Sequence, residues 1–191
     1  MVETLAKPDK LRNIVHQHPD AVFLPVLAME ASGKNMLPLA LAEKLSKATG
    51  LGVETDIIQI NKTFHTNSSG AHRLASIARF DGQAAQPTSY VLVDDVVTSG
   101  GTLAAMRQHV EESGGRVVAI TALAAAAYAN VVAITAGTLQ RLYAKFPGAE
   151  LDTLLKDLKI APDRTDLTNS QANYVLKFST VDALRRALEK A

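Results

Sequence analysis

The chain has 191 residues, of which 47% are hydrophobic and 20% charged, and its formal net charge at pH 7 is +1. The length fits one domain, or one domain with a small appendage, and the composition is that of a globular protein with a substantial core. A net charge so close to zero gives the whole chain no strong electrostatic attraction to nucleic acid or to an anionic membrane. Cysteine is absent, which excludes disulfides and thiolate chemistry and fits a reducing cytoplasm.

The hydrophobicity pattern predicts neither a signal peptide nor a membrane span. The segment MVETLAKPDKLRNIVHQHPD is polar and lacks the apolar core of a signal peptide. The uncharged stretch 117–137 is about as long as a membrane span, but it is mostly Ala and Val and follows a helix pattern that ends in Gly-Gly, as a buried parallel strand would. We therefore expect no membrane span, no membrane or nucleic-acid partner, and a cytoplasmic location.

The first predicted elements alternate between strand and helix. Residues 21–28 form a continuous apolar run that predicts a buried strand, and 53–60 predict a second strand. The helix between them has leucines at four-residue spacing, namely Leu37, Leu41 and Leu45. Gly50 is expected to end this helix.

A third strand is predicted at 90–93, and a fourth at 117–122. The helix between them has its apolar face at Leu103, Met106 and Val110. Strands that alternate with helices predict an α/β fold with a doubly wound, mostly parallel sheet. Ligands of such sheets bind at the carboxyl ends of the strands, where the loops 30–35 and 94–102 are expected.

Residues 61–89 interrupt this alternation and are too long for a simple connection. They mix basic residues with Ser, Gly and Asn, which predicts a flexible lid. After residue 137 the pattern changes to short amphipathic helices with apolar residues at helical spacing: Leu139, Leu142, Tyr143 and Phe146, then Leu151, Leu154, Leu155 and Leu158. Thr180 is the expected N-cap of a last helix. The sequence thus predicts a core at 1–137 and a C-terminal helical appendage at 138–191.

The stretch VLVDDVVTSGGTL joins two acidic residues to a loop of hydroxyls and glycines. Backbone N–H groups at a helix N-terminus bind anions, glycines let the backbone come close, and Thr98, Ser99 and Thr102 add hydroxyl donors, so phosphate is the expected guest. Asp94 and Asp95 would repel that phosphate on contact, but they suit sugar hydroxyls or a cation beside it. A sugar phosphate satisfies both halves. The plain alternative is a capped helix start with a solvated acidic pair.

YVLVDDVVTSGGTL resembles the signature of the type I phosphoribosyltransferases, which bind phosphoribosyl pyrophosphate (PRPP), and the strand–helix order of 21–122 is similar to the core of that family. The resemblance implies a twisted parallel sheet with helices on both sides. It implies that Asp94 and Asp95 bind the ribose hydroxyls and hold Mg²⁺ as the cofactor. It also implies a loop that binds the 5-phosphate, made of Thr98, Ser99, Gly100, Gly101 and Thr102.

The resemblance implies a second anion site, for pyrophosphate, in the loop after the first core strand. The matching residues are Ser32, Gly33, Lys34 and Asn35. A Walker A loop is excluded here because Ala28 stands where glycine is required and Asn35 where Ser or Thr is required. A plain helix-start turn without a function is the open alternative.

The flexible loop of the family corresponds to 61–89, whose basic side chains could close over pyrophosphate. We assign Lys62 and His65 to the catalytic group together with Asp94 and Asp95. His72 and Arg73 are assigned to pyrophosphate. Each of these four lid residues has the alternative of being simply solvated.

The acceptor matches no well-known substrate class of the family. Enzymes for 6-oxopurines usually carry an acid where Thr98 stands, and adenine enzymes tend to use a glutamate in the flexible loop, whereas 61–89 contain none. Orotate enzymes build a hood over the base from a long N-terminal segment, whereas only residues 1–20 precede the first predicted strand here. The hood is therefore expected in the C-terminal helices. The candidate base contacts are Val96, Tyr128, Tyr174 and Phe178.

Two functions remain open. The first is a phosphoribosyltransferase that transfers the ribose 5-phosphate of PRPP to a nitrogen acceptor, expected to be a nucleobase, and releases pyrophosphate; Asp94 and Asp95 would position ribose rather than act as nucleophiles. The alternative is a non-catalytic protein that keeps the pocket and senses PRPP or a nucleotide. Lys34, the basic lid and the phosphate loop favour the enzyme. Proteins of this kind are often dimers, so we expect a homodimer.

Overall fold

A computed structural model describes residues 8–30, 33–61, 70–85, 88–125 and 132–190. The chain divides into two compact units, the first of 1–62, 78–98 and 105–130 and the second of 63–77, 99–104 and 131–191. The second unit thus includes two segments that precede residue 138. The functional division at 137/138 stays a prediction.

The first half of the described chain contains most of the strands. Its elements are α1 (Pro8–Gln17), β1 (Val22–Pro25), β2 (Met29–Glu30), β3 (Gly33–Lys34), α2 (Leu37–Thr49), β4 (Gly52–Val53), β5 (Ile58–Gln59), α3 (Gly70–Ala75) and β6 (Phe80–Asp81). The second half continues with β7 (Ser89–Val97), α4 (Gly101–Glu112), β8 (Arg116–Ala125), α5 (Ala136–Lys145), α6 (Glu150–Asp157), a 3-10 turn (Arg164–Asp166), α7 (Asn169–Val175) and α8 (Val181–Leu188). Among the described residues, no helix is both long and apolar enough to cross a membrane.

The first unit is built on a four-stranded sheet with the order β4-β1-β7-β8. Each neighbouring pair of strands is parallel. The helix α2 joins β1 to β4, and α4 joins β7 to β8, so each parallel connection crosses over through a helix, as parallel strands require. The predicted α/β fold with a mostly parallel sheet is confirmed.

Both faces of this sheet are buried. Phe23, Val91 and Val93 pack in one apolar cluster with Ile14 of α1 and Ala42 of α2. Neighbouring residues along a strand point to opposite faces, so the intervening side chains lie on the other face. There Tyr90 lies close to Val110 of α4, since a Cβ added at Gly115 would be 2.9 Å from a side-chain atom of each. Helices therefore cover the sheet on both sides, which explains why its strands read as continuous apolar runs.

The predicted helix over Leu37, Leu41 and Leu45 is confirmed, including its end at Gly50, which adopts φ 80. Its predicted apolar face was partly wrong. Leu37 is 56% exposed, and the buried positions are Pro38 and Ala42. Leu41 and Leu45 are partly buried and pack against the core of the sheet, as the leucine spacing predicted.

The predicted strand 53–60 was wrong as a single element. Only β4 joins the sheet, and β5 pairs with β6 in a separate antiparallel ribbon. Between β4 and β5, the side chain of Glu54 accepts hydrogen bonds from the backbone N–H groups of Thr55 and Asp56. The Glu54 N–H still donates to Phe23 O at 2.9 Å, so the pairing with β1 ends just after this residue.

The second unit has its own apolar core, formed by α5, α6, α7 and α8 together with Leu74 of α3. The predicted helices over 139–146 and 151–158 are confirmed as α5, which begins three residues earlier, and α6, which is shifted by one residue. Thr180 is the N-cap of α8, as predicted, and its Oγ1 accepts a hydrogen bond from the Ala183 N–H at 3.1 Å. The sequence prediction missed α7 and the 3-10 turn before it.

Candidate functional site

The topology of the first unit predicts a ligand site at the carboxyl ends of β1 and β7. From β1 the chain crosses to β4 on one side, and from β7 it crosses to β8 on the other. Adjacent parallel strands whose connections diverge in this way leave an opening at their carboxyl ends, which is where ligands bind in open α/β sheets. The candidate site is therefore expected in the segments that follow β1 and at the end of β7.

The acidic pair lies at the end of β7. The strand extends to Val97, beyond the predicted end at residue 93, so Asp94 and Asp95 lie inside it, and Asp94 is in register with Ala122 of β8. Both side chains are half-buried. Asp94 Oδ1 accepts a hydrogen bond from the Asp95 N–H at 2.9 Å, and Asp95 Oδ1 accepts one from the Val96 N–H at 2.7 Å. The backbone thus holds both carboxylates at the carboxyl edge of the sheet.

The segment after β1 reaches this pair through one side chain. Asn35 Nδ2 donates a hydrogen bond to Asp95 Oδ2 at 2.9 Å, across 60 positions of sequence. Just before Asn35, β2 and β3 form a short antiparallel ribbon in which Met29 pairs with Lys34. Of the predicted pyrophosphate residues, Gly33 and Lys34 lie in β3, the Lys34 side chain is outside the described part, and Ser32 falls outside the described residues.

The predicted phosphate loop continues β7 into α4. Thr98 is exposed, Ser99 is half-buried, and Gly101 and Thr102 are the first two residues of the helix. Gly100 has φ +76, and a Cβ there would lie 2.9 Å from Val132 Cγ1, so glycine is required both by conformation and by space.

The start of α4 also offers backbone donors. Ala104 N–H donates to Gly100 O at 2.9 Å as the first bond of the helix. The N–H groups that precede Ala104 have no acceptor within the helix, which is the general basis of anion binding at a helix start. The predicted 5-phosphate loop therefore has the backbone conformation that its chemistry needs, although binding itself stays a prediction.

The predicted lid residues are only partly described. Lys62 and His65 lie outside the described residues, as does the side chain of Arg73. His72 lies on α3 in the second unit, with its Nε2 3.2 Å from Ser76 Oγ. Their roles in catalysis and in pyrophosphate binding stay predictions.

The candidate base contacts fall in different parts of the chain. Val96 belongs to the first unit and is 51% exposed at the end of β7, next to the acidic pair. Tyr128 lies outside the described residues. Tyr174 and Phe178 belong to the second unit, where their rings meet edge to face with centroids 5.3 Å apart. Both pack against the apolar core of that unit, and burial raises the pKa of Tyr174.

The chemistry of the acidic pair fits Mg²⁺. Within the described ranges, no group of three or more His, Asp or Glu side chains could hold a metal ion. Mg²⁺ nevertheless binds through one or two carboxylates plus substrate phosphates and water, rather than in a cage made only of protein. Asp94 and Asp95 are the residues that would hold it, with phosphate groups of a bound ligand and water as further oxygen ligands.

The sequence prediction missed the contact between Asn35 and Asp95. The assignment of Asn35 to pyrophosphate stays a prediction, and the structure adds a hydrogen bond from its amide to a carboxylate of the acidic pair. Part of the signal was available, because the loops 30–35 and 94–102 were both predicted at the carboxyl ends of the strands. The predicted pattern does not, however, specify which side chains meet.

Comparison with known proteins identifies the family. A model described as the phosphoribosyl transferase domain matches residues 38–140. The chain is 33% identical over 195 residues to Protein TraN of Escherichia coli, across 100% of this chain and 43% of that protein. It is 37% identical over 102 residues to an uncharacterized protein of Haemophilus influenzae, across 53% of this chain and 23% of that protein. The chain thus spans less than half the length of these two relatives.

Solved structures give a more distant likeness. Adenine phosphoribosyltransferase from Saccharomyces cerevisiae is 13% identical, with a TM-score of 0.40 over 64% of this chain and 73% of that chain. Hypoxanthine phosphoribosyltransferase from Staphylococcus aureus is 11% identical, with a TM-score of 0.40 over 69% of this chain and 80% of that chain. The assignment therefore rests on the family model, which covers more than half of the chain. The chain belongs to the phosphoribosyl transferase domain family.

Proposed function

We propose that the chain is a phosphoribosyltransferase that transfers the ribose 5-phosphate of PRPP to a nitrogen acceptor, with a nucleobase as the expected acceptor. The observation that carries this proposal is the acidic pair, held by the backbone at the opening between β1 and β7 and followed directly by a glycine-rich helix start. The family model supports it, because its match includes this whole segment.

Different groups of residues bind different parts of PRPP. Asp94 and Asp95 accept hydrogen bonds from the ribose hydroxyls, because ionised carboxylates are acceptors only. The backbone N–H groups and hydroxyls of 98–102 bind the 5-phosphate. Gly33 and Lys34, together with Ser32, lie in the segment that follows β1 and bind pyrophosphate, with further cations from the lid at Lys62, His65, His72 and Arg73.

In the reaction, the nitrogen nucleophile attacks C1 of the ribose, the bond from C1 to the pyrophosphate oxygen breaks, and pyrophosphate leaves with the bonding electrons. The carboxylates keep the sugar aligned for this displacement, which is a positioning effect and not nucleophilic catalysis. Mg²⁺, when bound with the substrate, supplies charge neutralisation to the pyrophosphate. Excluding water protects the ribosyl group from hydrolysis, a role that suits the predicted lid.

Isothermal titration with PRPP and Mg²⁺ tests the binding site. Wild-type protein should bind, and the double substitution Asp94→Asn with Asp95→Asn should weaken binding about 100-fold or more, because two charge-assisted hydrogen bonds are lost, each of about 1.5–3 kcal/mol. The matched control is Asp81→Asn, which removes an exposed carboxylate of β6 in the same unit. Equal affinity of wild-type and doubly substituted protein would exclude the acidic pair from the site.

A screen of nucleobases for pyrophosphate release tests catalysis. Release with one base identifies the acceptor. If PRPP binds tightly but no base releases pyrophosphate, the protein is instead a sensor of PRPP or of a nucleotide.

A further inference from the structure

The side chain of Asn35 joins three parts of the first unit. Its Nδ2 donates to Asp95 Oδ2 at 2.9 Å, its Oδ1 accepts from the Leu37 N–H at 3.1 Å, and its backbone N–H donates to Ala28 O at 3.1 Å. The contacts thus link the end of β1, the start of α2 and the acidic pair on β7. Asn35 is half-buried, so the contact with Asp95 is partly screened from water.

These partners fix the orientation of the amide. The Leu37 N–H can only donate, so it requires the oxygen of the amide, and the carboxylate of Asp95 can accept from the nitrogen. Only one of the two amide orientations satisfies both partners. Asparagine is therefore specified at this position, because Asp would oppose Asp95 with a second carboxylate and Ser has no second polar end.

The contact also fixes the carboxylate of Asp95. One oxygen accepts from the Val96 N–H on its own strand, and the other accepts from Asn35 on a different segment. Two donors, one on each oxygen, set the plane of the carboxylate. A carboxylate offers about four acceptor positions, so this arrangement still leaves Asp95 capacity for further hydrogen bonds.

We propose that Asn35 is a positioning residue for the acidic pair: it holds the Asp95 carboxylate in the orientation that receives the ribose hydroxyls, and it ties this carboxylate to the segment that follows β1. The inference rests on the proposed function, since it assumes that Asp95 binds ribose. It gives Asn35 a role that acts through Asp95 rather than by direct contact with pyrophosphate.

Substitutions can separate this role from that of stabilising the start of α2. Asn35→Ser and Asn35→Asp both keep an oxygen that can accept from the Leu37 N–H, as Ser and Asp do in local turns. Asp has no donor at neutral pH, and the Ser hydroxyl ends one bond short of the amide nitrogen that donates to Asp95. Asn35→Ala removes both ends of the amide.

The first measurement is the affinity for PRPP with Mg²⁺ at pH 7.5 by isothermal titration. We expect Asn35→Ser to weaken binding about 10-fold or more, on the scale of a lost hydrogen bond to a charged group. The melting temperature of Asn35→Ser should differ less from that of the wild type than the melting temperature of Asn35→Ala does. In an Asp95→Asn background, Asn35→Ser should cause little further loss, because a residue that acts through Asp95 has nothing left to position.

The second measurement compares Asn35→Asp with Asn35→Ser at pH 7.5, a difference that a purely structural role would not produce. Both variants keep an acceptor for the Leu37 N–H, but only Asn35→Asp places a second carboxylate against Asp95. Binding of PRPP by Asn35→Asp should therefore be weaker than binding by Asn35→Ser.

Asn173→Ala is the matched control. Its amide also uses both ends, donating to Asn169 O at 2.7 Å and accepting from Arg141 Nη2 at 2.8 Å, but it lies in the second unit. We expect its PRPP affinity to be unchanged.

The outcomes distinguish the two proposals. If wild-type protein does not bind PRPP, the proposed function fails. If wild-type and Asn35→Ser bind PRPP equally well, only the positioning role of Asn35 is overturned. Additive losses in the Asp95→Asn background, or equal affinities of Asn35→Asp and Asn35→Ser for PRPP, would likewise overturn it.

Discussion

The buried guanidinium of Arg164 organises the polar contacts of the second unit. The residue is 1% exposed, and its Nη2 lies 2.8 Å from Asp152 Oδ2 in an ion pair. It also donates to the backbone oxygens of Phe146 and Gly148, and its Cζ lies 4.7 Å from the centroid of the Tyr143 ring. Nothing in the amino-acid sequence distinguishes this arginine from the exposed ones, because its burial depends on where the carbonyl groups of a distant turn lie.

Asp152→Asn should destabilise the protein because it leaves this guanidinium without its counter-charge. We expect a loss of about 3 kcal/mol in the free energy of unfolding at pH 7, at the lower end for a broken buried ion pair because Asp152 is partly exposed. Urea denaturation measures it. The control is Asp157→Asn, an exposed carboxylate at the end of the same helix, which should change stability by less than about 0.5 kcal/mol.

The same pair makes the stability depend on pH in a defined direction. The hydrogen bonds from Arg164 lower the pKa of Asp152 in the folded state. The contribution is therefore complete above the unfolded pKa of about 3.9 and is lost as the pH falls through the lower folded pKa. The gap in melting temperature between wild type and Asp152→Asn should be constant from pH 7 to pH 5 and should narrow below about pH 4. A gap that stays constant down to pH 3 would contradict this account.

At the level of elements, the sequence predicted those whose periodicity is long and regular. The strands β7 and β8 and the helices α2, α4, α5 and α6 all lie where the apolar pattern placed them. The predictions failed at an irregular segment and at a short element. The strand predicted at 53–60 ends just after Glu54, and α7 is too short for a periodic pattern.

Only part of the candidate site could be predicted from the sequence. The motif gave the acidic pair and the loop after it, because both belong to one continuous string of residues. It could not give the bond between Asn35 and Asp95, which depends on side chains that are 60 positions apart.

The capping box of α7 offers a test at the level of one element. Thr168 Oγ1 accepts from the Gln171 N–H at 3.1 Å, and Gln171 Oε1 accepts from the Thr168 N–H at 2.8 Å. Thr168→Ala should lower the free energy of unfolding by about 1–2 kcal/mol, because a buried N–H loses its acceptor. Thr168→Ser keeps the oxygen and should recover most of the loss. If both variants unfold at the same urea concentration, the cap contributes nothing and only the lost methyl group matters.

At the level of the whole molecule, binding of PRPP should raise the thermal stability. A ligand at 100 times its Kd stabilises the folded state by about 2.7 kcal/mol, which corresponds to an increase in melting temperature of roughly 5–10 °C for a chain of this size. Removal of Mg²⁺ with EDTA should reduce the increase, since the carboxylates would then face the pyrophosphate without a cation. Thermal unfolding followed by circular dichroism measures both effects. A PRPP-induced shift that is unchanged by EDTA would contradict the assignment of Mg²⁺ to Asp94 and Asp95.

The position of β7 has a consequence for how the sheet opens. The strand pairs with β1 through Tyr90–Val93 on one edge and with β8 along its length on the other. Its amide protons should therefore exchange with deuterated solvent only when the sheet as a whole comes apart, and not by fraying of an edge. Asp94 and Asp95 follow this stretch, at a point where β1 has ended and β7 pairs with β8 alone. In the proposed function, the sugar therefore meets carboxylates carried by a strand that is paired on both sides just before them.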